Sequence, residues 1–144
     1  MAFALLAALG TGFYAPHAAV GRSHVAAIAQ ERLPAVYPLD DLQAFEYELA
    51  CAAADGCQMM VEFYEPHCRS CVALTRKLDQ LARERPDIRL FTVNIVTAGG
   101  AAIVKTMGSP LTALPTVTMY SSGVQAWKRV VTIRDWDAVV QSLG

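Results

Sequence analysis

The chain has 144 residues, a formal net charge of −1, 54 % hydrophobic residues and 17 % charged residues. This length suits one domain with an extension, and the apolar content excludes a disordered chain. A net charge so close to zero gives no electrostatic reason to expect nucleic acid as a partner. The four cysteines are too few for a miniprotein stapled by disulfides.

Residues 1–35 are predicted to be an apolar N-terminal extension, followed by one domain over residues 36–144. No Asp, Glu, Lys or Arg occurs between Ala2 and Gly21. Three interpretations stay open: a targeting segment, a membrane helix of about 20 apolar residues, and an arm that packs on the domain or on a partner. A membrane or a multi-subunit assembly is therefore a candidate partner for residues 1–30.

Alternating strand and helix signals begin after this extension. Val36–Leu39 predicts a short strand, and Asp40 or Asp41 then begins a helix that ends at Gly56. Met59–Tyr64 is an apolar run interrupted by one acid, which is typical of a strand buried on both faces.

The next signals repeat this alternation. A helix is predicted from Cys68 to Arg85, where Pro86 stops it. Ile88–Ile95 predicts a second buried strand, and Ala98–Met107 predicts a further helix.

The order of elements changes in the last part of the chain. Thr116–Tyr120 and Val124–Val131 flank Ser121-Ser122-Gly123, a hairpin signal. Thr132 and Asp135 have the spacing of a capping box at the start of the last helix. The apolar face of that helix is formed by Trp136, Val139, Val140 and Leu143. The order βαβαβαββα predicts an α/β fold with a central sheet and helices on both of its faces.

Two of the four cysteines lie at the start of the helix that follows Met59–Tyr64. Cys71 shares one helical stripe with Leu74 and Leu78, so it should face the core. Cys68 lies in the first turn, where unpaired N–H groups and the helix dipole stabilise an anion. We therefore expect Cys68 to be the exposed thiolate of low pKa and Cys71 the sheltered resolving thiol. The neighbouring charge of Arg69 should favour the thiolate.

A metal site is the main alternative for this C-x-x-C motif. A zinc site needs two further ligands, but Cys51 and Cys57 do not form a second C-x-x-C, and His67 alone leaves the set incomplete. The position of the motif between a strand and a helix favours a redox pair. We expect no metal and no cofactor, and we expect Cys51 and Cys57 to be small buried residues.

Two segments resemble the thioredoxin family. The segment from Val61 to Cys71 resembles the family's active-site segment, with an atypical Cys-Arg-Ser-Cys sequence. Leu114-Pro115-Thr116, followed by a hairpin and a last helix, resembles its cis-proline loop. The resemblance covers Val36 to Gly144 and is greatest to atypical plastid and membrane-tethered thioredoxins. It implies a thioredoxin-like fold with a mixed central sheet.

The resemblance also implies a set of site residues. Pro115 should be cis and lie beside the cysteines, because tertiary packing can hold a bond that costs only about 0.5–1 kcal/mol. Glu62 matches the buried acid of the family, and burial in the strand should raise its pKa so that it exchanges a proton with Cys71. The implied catalytic residues are Cys68, Cys71 and Glu62. The implied substrate-binding residues are Leu114, Pro115, Thr116, His67 and Arg69.

Several positions depart from the family pattern. His67 replaces a tryptophan, Arg69-Ser70 replaces Gly-Pro, and Val72 replaces a basic residue. Thr92 aligns with a lysine that faces the buried acid, and Val131 aligns with a glycine. We expect the β-branched side chain of Val131 to crowd a docked polypeptide.

Two functions follow from these observations. The first is a thiol–disulfide oxidoreductase that acts on protein disulfides or dithiols through Cys68 and Cys71. The alternative is a structural or interaction subunit of a larger, membrane-bound assembly with little or no general reductase activity. The expected location is an organelle, either plastid or mitochondrion, with membrane association. The alternative location is the bacterial periplasm or its membrane.

Overall fold

The computed structural model describes residues 35–144, which form a five-stranded sheet with helices on both faces. The strands are β1 (Val36–Pro38), β2 (Gln58–Tyr64), β3 (Ile88–Asn94), β4 (Thr116–Ser121) and β5 (Val124–Val130). The helices are α1 (Leu42–Asp55), α2 (Arg69–Glu84), α3 (Ala98–Thr106) and α4 (Trp136–Gln141), the last preceded by a 3₁₀ turn at Ile133–Asp135. No helix in this part of the chain is both long and apolar enough to cross a membrane. The predictions for the N-terminal extension fall on residues 1–34, outside the described residues.

The sheet has the order β1-β3-β2-β4-β5. The first three strands in this order are parallel, β4 runs antiparallel to β2, and β5 runs antiparallel to β4. The predicted mixed sheet is therefore confirmed. At the carboxyl ends of the parallel strands, the N–H of Ile95 donates to the carbonyl of Tyr64 at 3.0 Å. This bond holds the segment after β3 close to the start of the segment that leads from β2 to α2.

Each face of the sheet has its own hydrophobic core. Successive residues of a strand point to opposite faces, and both faces of β2 are covered, which explains its continuous apolar sequence. Leucines of α2 and Trp136 and Val139 of the last helix pack on one face, together with Met60. Phe45 of α1 and Ile103 of α3 pack on the other face.

The predicted helix ends rest on identifiable caps. The Asp41 side chain accepts a 2.7 Å hydrogen bond from the N–H of Ala44, and Gly56 ends α1 in the left-handed conformation with φ of 65°. At the last helix, the Asp135 carboxylate accepts bonds from the N–H and the hydroxyl of Thr132 at 3.0 and 2.7 Å. The first turn of this last helix is 3₁₀, a tighter geometry that is common at helix N-termini.

Two glycines bring α3 into contact with backbone from other elements. A Cβ atom built at Gly99 would overlap the carbonyl oxygen of Asp40, and one built at Gly100 would overlap the carbonyl oxygen of Asn94. The Thr97 hydroxyl caps the same helix by accepting the N–H of Gly100 at 3.0 Å. Only residues without a side chain allow α3 to lie this close to its neighbours.

Candidate active site

Cys68 and Cys71 form a disulfide at the N-terminus of α2, with their Cα atoms 5.2 Å apart. Cys68 is the N-cap residue, and its sulfur accepts the N–H of Cys71 at 3.2 Å. Cys68 is half-buried, whereas Cys71 is fully buried in the same stripe as Leu74 and Leu78. The two thiols therefore differ in exposure in the predicted direction. Their separate roles in catalysis stay predictions.

Ser70 also contacts the disulfide. Its hydroxyl oxygen lies 3.3 Å from the sulfur of Cys68, and a disulfide sulfur carries no hydrogen, so the hydroxyl is the donor. Ser70 was not among the expected site residues. The contact could have been predicted from the sequence, because a hydroxyl residue lies two positions after the cysteine that caps the helix.

Glu62 is a fully buried acid on β2. The hydroxyl of Thr75 donates to its Oε2 atom at 2.8 Å, while Oε1 has no hydrogen-bond partner within residues 35–144. Burial raises the pKa of Glu62 to about 7, the hydrogen bond from Thr75 opposes this, and the negative charge of Asp79 adds to it. The carboxyl can therefore gain or lose a proton near neutral pH.

The residues beside Glu62 in the sheet carry no charge. Its register partners are Thr92 on β3 and Val117 on β4. Thr92 thus lies beside Glu62, as expected for the position that holds a lysine in the family pattern. A hydrogen-bond donor comes instead from α2, where the hydroxyl of Thr75, a residue not among the expected site residues, binds Glu62.

The loop before β4 contains a cis peptide bond between Leu114 and Pro115. The Pro115 carbonyl accepts the N–H of Val131 at 3.1 Å, and the Thr116 hydroxyl donates to the carbonyl of Ala113 at 2.6 Å. Pro115 and Thr116 are buried and Leu114 is half-buried. The contact of this loop with the cysteines and with substrate stays a prediction.

His67 and Arg69 are both exposed beside Cys68. They are thus accessible to a partner, as a substrate-binding role requires. That role also stays a prediction.

The expectation for Val131 is wrong. Its side chain is fully buried in the core that contains Val117 and Trp136, so it does not crowd a partner at the surface. Alignment with a glycine could not show the direction of the side chain, because glycine has none. Val131 is a core residue.

Cys51 and Cys57 are free thiols, and both are half-buried, so the expectation that they are buried holds only in part. Within residues 35–144, no three His, Cys, Asp or Glu side chains are grouped so that they could hold a metal ion.

Solved structures resemble this chain in overall fold. In this chain the fold combines the mixed sheet with the cysteine pair at the start of α2 and the cis proline. Thioredoxin O2 from Arabidopsis thaliana, in its oxidised state, matches with a TM-score of 0.66 and 19 % identity, over 78 % of this chain and 97 % of that chain. The described residues have the thioredoxin fold. A thioredoxin h from poplar matches with a TM-score of 0.65 and 16 % identity, over 75 % of this chain and 95 % of that one.

The thioredoxin fold of this chain is also shared with thioredoxin F from spinach chloroplast. That structure has a TM-score of 0.64 and 16 % identity, over 77 % of this chain and 92 % of that one. No protein-family model matches the sequence, and no curated protein matches it. The similarity to thioredoxins is therefore one of fold, and the activity has to be argued from the site.

Proposed function

We propose that this protein is a thiol–disulfide oxidoreductase that acts on protein disulfides through Cys68 and Cys71. The observation that carries the proposal is the disulfide at the N-terminus of α2, which joins a half-buried cysteine to a fully buried one. A partner can reach Cys68 but not the fully buried Cys71, so the two sulfurs suit successive steps.

In the proposed reaction the reduced protein supplies two electrons. The Cys68 thiolate attacks a partner disulfide, which forms a mixed disulfide and releases one partner thiolate. Cys71 then transfers its thiol proton to Glu62, and its sulfur attacks the sulfur of Cys68. The Cys68–Cys71 bond forms, the bond to the partner breaks, and the second partner thiolate leaves. The dithiol is oxidised and the partner disulfide is reduced.

Three groups support a thiolate at Cys68. The N–H of Cys71 points at its sulfur, and the first turn of α2 adds the positive end of the helix dipole. The hydroxyl of Ser70 supplies a further donor at 3.3 Å. Such surroundings lower the pKa of a cysteine from its ordinary value of about 8.5.

Glu62 supports the second step as a proton acceptor. It is buried on the face of the sheet against which α2 packs, and its pKa of about 7 lets it accept a proton near neutral pH. Its link to Cys71 runs through Thr75, whose hydroxyl lies within hydrogen-bonding distance of both Glu62 and the Cys71 carbonyl.

We also propose that a substrate chain binds between the Pro115 loop and the residues that flank Cys68. Leu114 is half-buried and could supply an apolar contact, while His67 and Arg69 are exposed. The loop is held by the bond from Val131 to the Pro115 carbonyl. This proposal concerns protein substrates, whose extended backbone can lie along such a loop.

Residues 1–30 are the basis for a second candidate function, as a subunit of a membrane-bound assembly. The stretch without charged side chains between Ala2 and Gly21 favours contact with a membrane or a neighbouring subunit. Location in a plastid or mitochondrion is part of the same proposal. A tethered domain can still exchange disulfides, so the two functions are compatible.

The decisive experiment measures insulin disulfide reduction by the full-length protein with dithiothreitol as the electron source. Wild type and the double variant Cys51→Ser/Cys57→Ser should be active, and Cys68→Ser should be inactive. Pre-reduced Cys71→Ser, mixed with insulin after dithiothreitol has been removed, should accumulate a mixed disulfide with insulin. A folded, reducible wild-type protein that gives no turnover would overturn the oxidoreductase proposal and favour the subunit.

A further inference from the structure

Thr75 has one hydroxyl hydrogen and two acceptors within reach. Its oxygen lies 2.8 Å from Oε2 of Glu62 and 3.0 Å from the carbonyl oxygen of Cys71. A hydroxyl donates one hydrogen and can accept at its lone pairs. The hydrogen can therefore serve only one of these acceptors well at a time.

The two acceptors belong to the two residues of the proposed proton transfer. Cys71 holds the resolving thiol, and Glu62 is the buried acid that would accept its proton. Glu62 Oε1 has no partner within residues 35–144, so Thr75 provides the one side-chain hydrogen bond recorded for this carboxyl. Thr75 therefore sits between the acid and the first turn of the helix that carries the cysteines.

Thr75 is the residue that donates a side-chain hydrogen bond to Glu62, and the other neighbours of this acid within residues 35–144 have different effects. The neighbouring strands contribute Thr92 and Val117, which do not ionise. From α2, Asp79 contributes a repelling negative charge, and Cys71, one turn before Thr75, carries a thiol once the disulfide is reduced. Loss of the Thr75 hydroxyl would leave an ionised Glu62 buried without a hydrogen bond from any residue between 35 and 144.

We propose that Thr75 is a positioning residue whose hydroxyl switches its hydrogen bond between Glu62 and the Cys71 carbonyl according to the protonation state of Glu62. When Glu62 is ionised, Thr75 donates to the carboxylate. When Oε2 of Glu62 is protonated, it donates to the Thr75 oxygen, and Thr75 donates to the carbonyl of Cys71. The role of this switch in catalysis rests on the oxidoreductase function proposed above.

Two effects follow from the switch. The hydrogen bond to the ionised form lowers the pKa of Glu62, so Thr75 keeps the acid ready to accept a proton near neutral pH. The carbonyl of Cys71 gains a hydrogen bond when Glu62 takes up a proton. The first turn of α2 thus senses the charge of an acid on a neighbouring strand.

An NMR titration of the oxidised full-length protein tests the switch without a substrate. The ¹³C signals of the Glu62 carboxyl and the Cys71 carbonyl are followed from pH 5 to 9, and the carboxyl signal is assigned by its loss in Glu62→Gln. In wild type the carboxyl signal should titrate with a midpoint near pH 7, and the carbonyl signal should change with the same midpoint. In Thr75→Val the Glu62 midpoint should rise by about one pH unit, and the Cys71 carbonyl should lose its pH dependence.

Matched variants separate the switch from a structural effect. Thr75→Ser keeps the hydroxyl and should restore both signals. Thr106→Val is the control, because the Thr106 hydroxyl also bonds to a carbonyl one turn back, that of Ile103 at 2.7 Å, but touches no acid. If Thr75→Val does not fold, Thr75→Ala removes the same hydroxyl without adding a methyl group at its place.

Two results would overturn the proposal. One is a Cys71 carbonyl signal in wild type that stays constant while Glu62 titrates. The other is a Glu62 midpoint that does not move when the hydroxyl is removed. Failure of the oxidoreductase function would appear instead in the insulin assay, while the titration would keep its outcome.

Discussion

The N–H of Cys71 donates a 3.2 Å hydrogen bond to the sulfur of Cys68, so one cysteine caps the helix that carries the other. Reduction replaces the neutral disulfide sulfur of the cap with a thiol or thiolate. A thiolate is the better acceptor and also interacts favourably with the helix dipole. The hydrogen bond that caps α2 can therefore persist when the disulfide is reduced.

In the reduced protein, Cys68 should react with iodoacetamide faster than Cys71 at pH 7. Cys68 is half-exposed at the helix N-terminus, whereas Cys71 is fully buried, and the thiolate is the reactive form. Peptide mass spectrometry after timed alkylation measures both rates. The Cys51→Ser/Cys57→Ser background removes competing thiols. Equal rates at the two positions would contradict the assignment of Cys68 as the nucleophile.

Glu62→Gln should flatten the dependence of stability on pH. The pKa of Glu62 is about 7 in the folded protein against an ordinary value of 4.5. Between these values the folded chain holds a proton that the unfolded chain has lost, so stability falls as pH rises through this window. The difference amounts to on the order of 3 kcal/mol. Wild type should lose this amount relative to the variant between pH 4.5 and 7.

Urea unfolding at pH 4.5, 6, 7 and 8 measures this difference. Glu46→Gln is the control, because Glu46 is exposed on α1, and it should keep the wild-type dependence. Parallel stability curves for wild type and Glu62→Gln would show that burial does not raise the pKa of Glu62.

Val131→Ala should destabilise the fold by about 2 kcal/mol, through lost burial and the cavity left behind. The matched control is Val124→Ala on the same hairpin, where the valine is 71 % exposed and the change should stay within about 0.5 kcal/mol. Thermal or urea unfolding compares the two variants. Increased insulin reduction by Val131→Ala without loss of stability would instead support a crowding role for this side chain.

Removal of residues 1–34 should leave a folded domain with an intact Cys68–Cys71 pair. Within the described residues, the sheet and the helices on its faces already enclose two hydrophobic cores. Circular dichroism and the cooperativity of unfolding measure the result. Sedimentation with native membranes should be lost if residues 1–30 are the anchor. A truncated chain that is unfolded would show that the extension belongs to the core.

Most of the fold could be predicted from the sequence because its elements have strong local signals. The apolar run of β2, the stripe of α2 and the caps at Asp41 and Gly56 depend on nearby residues, and the structure has each of them. The boundaries differ by one or two residues, and the last helix begins with a 3₁₀ turn. The mixed sheet was expected from the family resemblance alone, and its strand order was not predicted, since local patterns do not specify which strands pair.

The site was predictable where a side chain follows the helix or strand period. Burial of Cys71 follows from the helical stripe, and burial of Glu62 follows from its place in the continuous apolar run of β2. The contact of Thr75 with Glu62 joins residues 13 positions apart on different elements, and Val131 lies after the end of β5, where alternation no longer fixes the direction of a side chain. The contact of Thr75 and the direction of the Val131 side chain both depend on tertiary packing. For this reason the contact was not predicted and the expectation for Val131 was wrong.

The two glycines at the start of α3 restrict which other sequences can form this structure. Each faces a backbone carbonyl, of Asp40 or of Asn94, so no change of rotamer elsewhere could make room for a side chain. Arg69 and Ser70, by contrast, are exposed, so packing does not restrict the size of their side chains. Among distant homologues that keep the same backbone here, Gly99-Gly100 should therefore vary less than the residues between the cysteines. A search that requires this glycine pair as well as the two cysteines would separate such homologues from the many thioredoxin folds that share only C-x-x-C.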